Sequence, residues 1–534
     1  MVKKCVSGCK GFTEEQCNKT VRCSYTNGEK HQYCRLSQEY KMGKKPNCNI
    51  TKRLSNKENR IQSANIIKKF IKSKKQSKKQ DSIESKREKS KNIIGRFMKN
   101  TSQKRRLEFL KAICSDSGVC MAFGTNRKKI LDFFDNFTDF RHIVSPIRAI
   151  GKASANGFVK EIKYEKNGYV SFAVLKSSAN RGADNLVYEY IVGQFINKLA
   201  HIYPCFLQTY GLYYYKSEAQ WKYSRDTANI TADTIQASIE PEHQIYNYGK
   251  MCEKSKHAAL LIEHVKNAKS LGDFIKSQNR AIFHHFVLYN LAYVLYQVYM
   301  PLSQLKNVFN QYDLHLDNIL IYEPVRDKYL EYNYHTSQGT IVKFKSPYIV
   351  KIIDYGRSYY KYDPVGNNQN PRTIYDNLCR EAKCNPCGED MGFSWLEPVL
   401  ADYNYFISSS LNNPSHDLRL LFDTYDYYKN SIRLNVFTPD EQQSILPLNN
   451  MFKKLTFGVG IPDPGNKRFG TEPNNTSGLP AKINNVADAE KDLRDMILNN
   501  QFMKNINDSY YDIDDKLGDM HIYSDNRPMR FEPV

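Results

Sequence analysis

The sequence predicts an α+β chain in which a small strand-rich lobe precedes a larger helical lobe. Apolar strands cluster at 159–164, 169–175, Thr209–Tyr215 and Ala258–Glu263. The long apolar helical pattern, roughly 282–301, comes only after them. Strands first and helices later is the α+β order, as opposed to alternating βαβ units. With 534 residues and 41% hydrophobic content, the chain can bury a full-sized core, and two or three domains are expected.

Residues 1–50 hold six of the thirteen cysteines, Cys5, Cys9, Cys17, Cys23, Cys34 and Cys48. No Cys-x2-Cys pair occurs among them, so a small disulfide-closed module fits their spacing better than a zinc site, with free thiols as a third reading. Asn27-Gly28 predicts a hairpin turn there. Residues 51–111 carry 21 Lys or Arg against 5 Asp or Glu, a net of +16 out of +22 for the whole chain. The basic charge thus belongs to a linker, and its expected partners are anionic: nucleic acid or an acidic protein surface.

Apolar residues return at 112–145, where Ile130, Phe133, Phe134 and Phe137 stand at helical spacing and predict a helical brace. Residues 146–265 form the predicted strand-rich lobe and 266–435 the helical one. The Asn/Pro/Gly-rich region 436–534 is a C-terminal extension read as wrapping the large lobe. No run of 18 apolar residues occurs, which predicts no spanning helix, and Met1-Val2-Lys3-Lys4 has no apolar signal core. The expectation is a protein made in the cytosol and not secreted.

The most specific pattern lies further on. Lys176 ends the apolar strand Phe172-Ala173-Val174-Leu175-Lys176, and Glu189 sits near the start of the next helical stretch. Asp313 and Asn318 stand five apart in Gln311-Tyr312-Asp313-Leu314-His315-Leu316-Asp317-Asn318, and Asp354-Tyr355-Gly356 follows a second apolar strand. One carboxylate to orient a hydroxyl, an amide and a carboxylate for hard cations, and a lysine for phosphates are what phosphoryl transfer needs. Three cysteines, Cys379, Cys384 and Cys387, follow in the next segment. Three zinc ligands would lack an obvious fourth, so a structural role or free thiols is favoured.

Over roughly 146–435 these motifs resemble the protein-kinase-like superfamily, and within it the divergent kinases of large DNA viruses, including poxvirus virion kinases. The resemblance implies a two-lobed fold, with ATP as the phosphate donor and Mg2+ (or Mn2+) as cofactor. It makes Asp313 catalytic, pairs Lys176 with Glu189, and gives Asn318 and Asp354 to the metal. Gly151 and Gly157 would flank the loop over the phosphates, and 263–265, with Glu263 and Val265 at its ends, would meet adenine through backbone groups. Asp417 would brace the catalytic loop.

The chain departs from the pattern at several points. Gln311-Tyr312 replaces the usual His-Arg, Ala153 stands between the two glycines, and no Ala-Pro-Glu precedes Asp417. The 36 positions from Asn318 to Asp354 imply an inserted hairpin around 322–347. His315 matches the catalytic-loop style of small-molecule kinases, where protein-serine kinases carry lysine.

The resemblance therefore implies a Ser/Thr protein kinase acting on protein substrates, virus-encoded, in the host cytoplasm or viral factory and packaged in the virion. The alternatives are a catalytically weak pseudokinase or virion scaffold, and a small-molecule phosphotransferase. Oligomeric state is not legible.

Overall fold

The computed structural model describes residues 23–27, 32–36, 112–114, 119–138, 140–151, 157–179, 185–243, 247–361, 371–379, 384, 387, 392–394, 404–407, 409–455, 467–468 and 483–534. The chain divides into two compact units, Met1–Ile83 and Glu84–Val534. In the first, strands Cys23–Asn27 and Gln32–Leu36 pair antiparallel with Asn27 opposite Gln32. A hairpin is thus present, but Asn27 is a paired strand residue and the connection spans positions 28–31 in place of a two-residue turn at Asn27-Gly28. That connection, Cys5, Cys9, Cys17 and Cys48, and the basic linker up to residue 111 lie outside the described residues.

The second unit is mixed α/β and begins with a seven-stranded, wholly antiparallel sheet. Its order is Ile239–Pro241, Thr209–Tyr215, Ala258–Glu263, Tyr169–Ser178, Gly157–Lys166, Ile143–Ile150, Asn229–Ile230. The period-2 alternation of apolar residues gives it two apolar faces. Phe158, Ile162, Tyr164, Leu175, Tyr213 and Leu261 pack with Phe133, Phe134 and Phe137 on one side. Leu212, Tyr214 and Leu260 pack on the other, with the helix Leu186–Leu199. Asn167 and Gly168, both at positive φ, make the two-residue turn joining Lys166 to Tyr169.

The segment before the sheet departs from expectation. The helix predicted across Ile130 to Phe137 ends at Phe133, and Asp135, Asn136 and Phe137 all take positive φ. That reversal lets Phe137 meet Tyr164 edge-on at 4.8 Å and stack on Tyr210 at 4.4 Å, contacts a continuous helix would carry away from the sheet.

Beyond the sheet, Arg280–Phe286, a single π-helical turn Val287–Leu291 and Ala292–Leu305 make one long, mostly buried helical run. It continues past Pro301, four residues beyond the end read from the sequence. Strand Ile319–Tyr322 pairs with Lys269–Ser270 and with Ile349–Ile352. The hairpin expected at 322–347 is present as Tyr329–His335 and Ile341–Ser346. Strand Lys516–Tyr523 of the C-terminal region adds to it in parallel. Of the cysteines considered for zinc, Cys379 pairs with Cys387 and Cys384 with Cys252, so those sulfurs serve as disulfides here. Among the described residues no helix is long and apolar enough to cross a membrane.

The Glu189 helix is fixed at its start by Asn185, whose side chain accepts from the Tyr188 N–H at 2.9 Å and donates to the Leu378 carbonyl at 2.9 Å. Loss of an N-cap costs about 0.5–2 kcal/mol, and here a tertiary hydrogen bond goes with it. Asn185→Ala is expected to lower stability by about 2 kcal/mol in denaturant titration, while Asn185→Ser, which keeps a cap acceptor without burying a charge, loses less.

Candidate active site

Lys176 points from its strand toward the helix-side face of the sheet. Its Nζ lies 2.7 Å from Glu189 Oε2 and 2.8 Å from Asp354 Oδ1. Glu189 stands in the first turn of its helix, where a carboxylate also offsets the N-terminal dipole. Burial alone would lower the Lys176 pKa, but the carboxylates of Asp354 and Glu189 outweigh it and hold the ammonium charged. Burial likewise works against an ionised Asp354, and Lys176 reverses the balance, with smaller help from Arg357 and His315.

The loop bearing Asp313 and the loop bearing Asp354 are tied together by Gln311. Its amide donates to the carbonyls of Ile353 at 3.0 Å and Asp354 at 2.8 Å, and its side-chain oxygen accepts from the Asp313 N–H at 2.7 Å. Tyr312 and Asp354 take positive φ, an uncommon state for side-chain-bearing residues that surrounding hydrogen bonds must hold. Asp417 does so for Tyr312, accepting the Gln311 and Tyr312 N–H groups at 2.9 and 2.8 Å. This is the bracing role the resemblance implied. The residues read as a departure, Gln311-Tyr312, are therefore the structural centre of the loop, and Tyr312 also donates its hydroxyl to the Leu411 carbonyl at 2.7 Å.

Asn318 donates its Nδ2 to the Asp313 carbonyl at 2.9 Å, so its side-chain oxygen is the atom that could meet a cation. With Oδ1 of Asp354 on Lys176, the second carboxylate oxygen remains for a cation. Two hard oxygen donors suit Mg2+, which is bound by few carboxylates plus phosphate oxygens and water. The residues present thus fit the ion.

Asp313 meets two guanidinium groups and an imidazole. Arg419 Nη1 lies 2.9 Å from Oδ1, Arg357 Nη1 3.1 Å from Oδ2, and His315 Nε2 3.9 Å from Oδ1. Burial lowers the His315 pKa, although Asp313 pulls against it. Sequence reasoning missed both arginines. Their spacing, one after Gly356 and two after Asp417, matches no pattern that would flag them.

The remaining expected contacts are less complete. Gly151 takes a positive φ of 67°, which favours glycine, and a Cβ at Gly157 would stand 2.6 Å from the Ser177 carbonyl, which leaves no room for a side chain. Residues 152–156, with Ala153, lie outside the described residues. Glu263 spends its N–H on the Gln208 carbonyl at 2.8 Å and its carboxylate on Arg127 and the Gln208 N–H. Its N–H is therefore not available to meet a base. The buried Val265 accepts the Ala268 N–H at 3.3 Å.

The chain matches no protein-family model and no curated protein. Among solved structures it is similar to the crystal structure of a kinase domain, with 15% identity and a TM-score of 0.23, over 42% of this chain and 53% of that one. The alignment spans about half of that domain, and a similarity so loose carries no argument; the side-chain geometry does.

Burial pushes the Asp417 carboxyl up to about 7, against the pull of the Gln311 and Tyr312 N–H groups, and pushes Asp423 up to about 6. A carboxyl whose folded pKa exceeds its unfolded value binds protons better when folded. The contribution of these two carboxyls to stability is therefore expected to fall as pH rises from 3.8 to about 7 and to level above it, opposed by histidines such as His201, His257 and His285 whose pKa burial lowers. Asp417→Asn, uncharged throughout, should flatten most of that slope in denaturant titrations from pH 4 to 8. A slope kept intact in the variant assigns it elsewhere.

Proposed function

We propose that the chain is an ATP-dependent protein kinase with a two-lobed kinase-like fold, transferring the γ-phosphate of ATP to serine or threonine hydroxyls. The observation that carries this reading is the Lys176 ammonium held between Glu189 and Asp354, at 2.7 and 2.8 Å, across 13 and 178 residues of sequence. A lysine so placed is oriented for the non-transferring phosphates, with the metal-ligand carboxylate beside it.

In this reading the lobes are 146–265 and 266–435, with 112–145 as brace, 436–534 as extension, and 1–50 and 51–111 as module and linker. Asn318 and Asp354 hold Mg2+, which when bound neutralises charge on the nucleotide phosphates. Asp313 orients the acceptor hydroxyl and takes its proton. The acceptor oxygen forms the new bond to the γ-phosphorus. The bond from that phosphorus to the β,γ-bridging oxygen breaks, and its electron pair leaves on ADP. Gly151 and Gly157 flank the loop over the phosphates, and 263–265 borders the adenine. His315 beside Asp313 favours a second reading, transfer to a small alcohol, because that residue type at that place belongs to small-molecule kinases.

Radiolabelled ATP with Mg2+ and three acceptor sets (basic proteins, acidic proteins, small alcohols) separates the readings. Transfer to protein serine or threonine is expected, reduced about 10²–10⁴-fold by Asp313→Ala. Transfer only to the alcohols supports the second reading, and none at all defeats both. Removing residues 1–111 is expected to spare catalysis and to weaken salt-sensitive binding to nucleic acid or acidic protein. Unchanged binding would show that the linker is not the docking element.

A further inference from the structure

Within the described residues, two guanidinium groups meet at Asp313. Each carboxylate oxygen has its own guanidinium, from Arg419 at 2.9 Å and from Arg357 at 3.1 Å. The two come from different elements. Arg357 follows Gly356 in the Asp354 loop, and Arg419 opens the helix Arg419–Ser431. Arg419 is shared with Asp423, whose Oδ2 lies 3.8 Å from its Nε. The catalytic loop itself offers only the His315 imidazole, 3.9 Å away.

We infer that Arg357 and Arg419 supply, from outside the catalytic loop, the positive charge that steadies the transferring phosphoryl group next to Asp313. The inference rests on the phosphoryl-transfer reading above and deepens it. An acceptor hydroxyl must come within hydrogen-bond distance of the Asp313 carboxylate to lose its proton. Groups already 2.9 and 3.1 Å from that carboxylate border the space where the acceptor oxygen meets the phosphorus. Charge spreads over the three equatorial oxygens of the phosphoryl group during transfer, and catalysis consists mainly of positioning and neutralising it. A guanidinium suits this task because its planar fork of N–H donors spans neighbouring oxygens, whereas an imidazole offers one donor. The arginines form no bond and take no proton. The proton passes to Asp313, and the electron pair of the broken phosphorus–oxygen bond leaves on ADP.

Steady-state kinetics with radiolabelled ATP test this. Arg419→Gln and Arg357→Gln are each expected to lower kcat by about 100-fold, with the KM for ATP within about threefold of wild type. Arg419→Lys, which keeps the charge, should recover part of the loss. A merely structural latch would instead lower the melting temperature without rescue by lysine. If Arg419→Gln fails to fold, Arg357→Gln, on another segment, carries the test. Wild-type turnover in either glutamine variant that folds, a loss confined to KM, or a latch-like melting result overturns the inference and leaves the kinase reading standing. A wild-type chain that binds ATP and Mg2+ yet phosphorylates no acceptor overturns both.

Discussion

An ammonium group flanked by two carboxylates is stable only while all three charges stay together. Removing one partner from such a buried cluster typically costs about 3–5 kcal/mol, because it strands a charge away from water. In this chain the three charges sit on a sheet strand, a helix and a loop that begins the next functional segment. Lys176 thereby fixes the helix against the sheet and fixes the Asp354 loop against both. The Tyr188 hydroxyl, one residue before Glu189, donates to the Ser358 carbonyl at 2.7 Å and reinforces the same junction. Through Gln311, the loop bearing Asp313 is tied to the same junction.

The second constraint is backbone geometry held by buried polar groups. Tyr312 and Asp354 adopt left-handed conformations, and the groups that hold them are Asp417 and the Gln311 amide. Gln311 links the carbonyls of the Asp354 loop to the N–H of Asp313, so one side chain ties the two loops together. In the role proposed for it, orienting a hydroxyl, the Asp313 carboxylate gains from being on a loop so held. Tyr355 adds to this by burying its ring and donating its hydroxyl to the Ile352 carbonyl at 2.7 Å. A phenylalanine at that position would lack this bond.

Much of the arrangement was legible because it depends on residue type at short spacing. A lysine at a strand end, an Asp and Asn five apart, and an apolar strand ending in Asp354-Tyr355-Gly356 are local signals. Strand alternation and the Asn167-Gly168 turn follow the same logic. The illegible part depends on tertiary approach. Nothing in the sequence says that Arg357 and Arg419 converge on Asp313, since they lie 62 positions apart and carry no periodic signature. The pairing of Cys252 with Cys384 spans 132 residues and was equally invisible. Phe137 satisfies helical spacing, yet aromatic contacts to Tyr164 and Tyr210 override it and reverse the backbone. Gln311 stands out in the sequence only as a departure from the pattern, because its role depends on the carbonyls of Ile353 and Asp354 beside it.

The central claim is that Lys176, Asn318 and Asp354 together form a metal-dependent nucleotide site. Calorimetric titration of ATP into the full chain, with and without Mg2+, tests it most directly when repeated on Asp354→Asn. The account predicts that Mg2+ tightens ATP binding to the wild type and that the variant loses most of this dependence. Binding that ignores Mg2+, or that keeps its full dependence in Asp354→Asn, would contradict it.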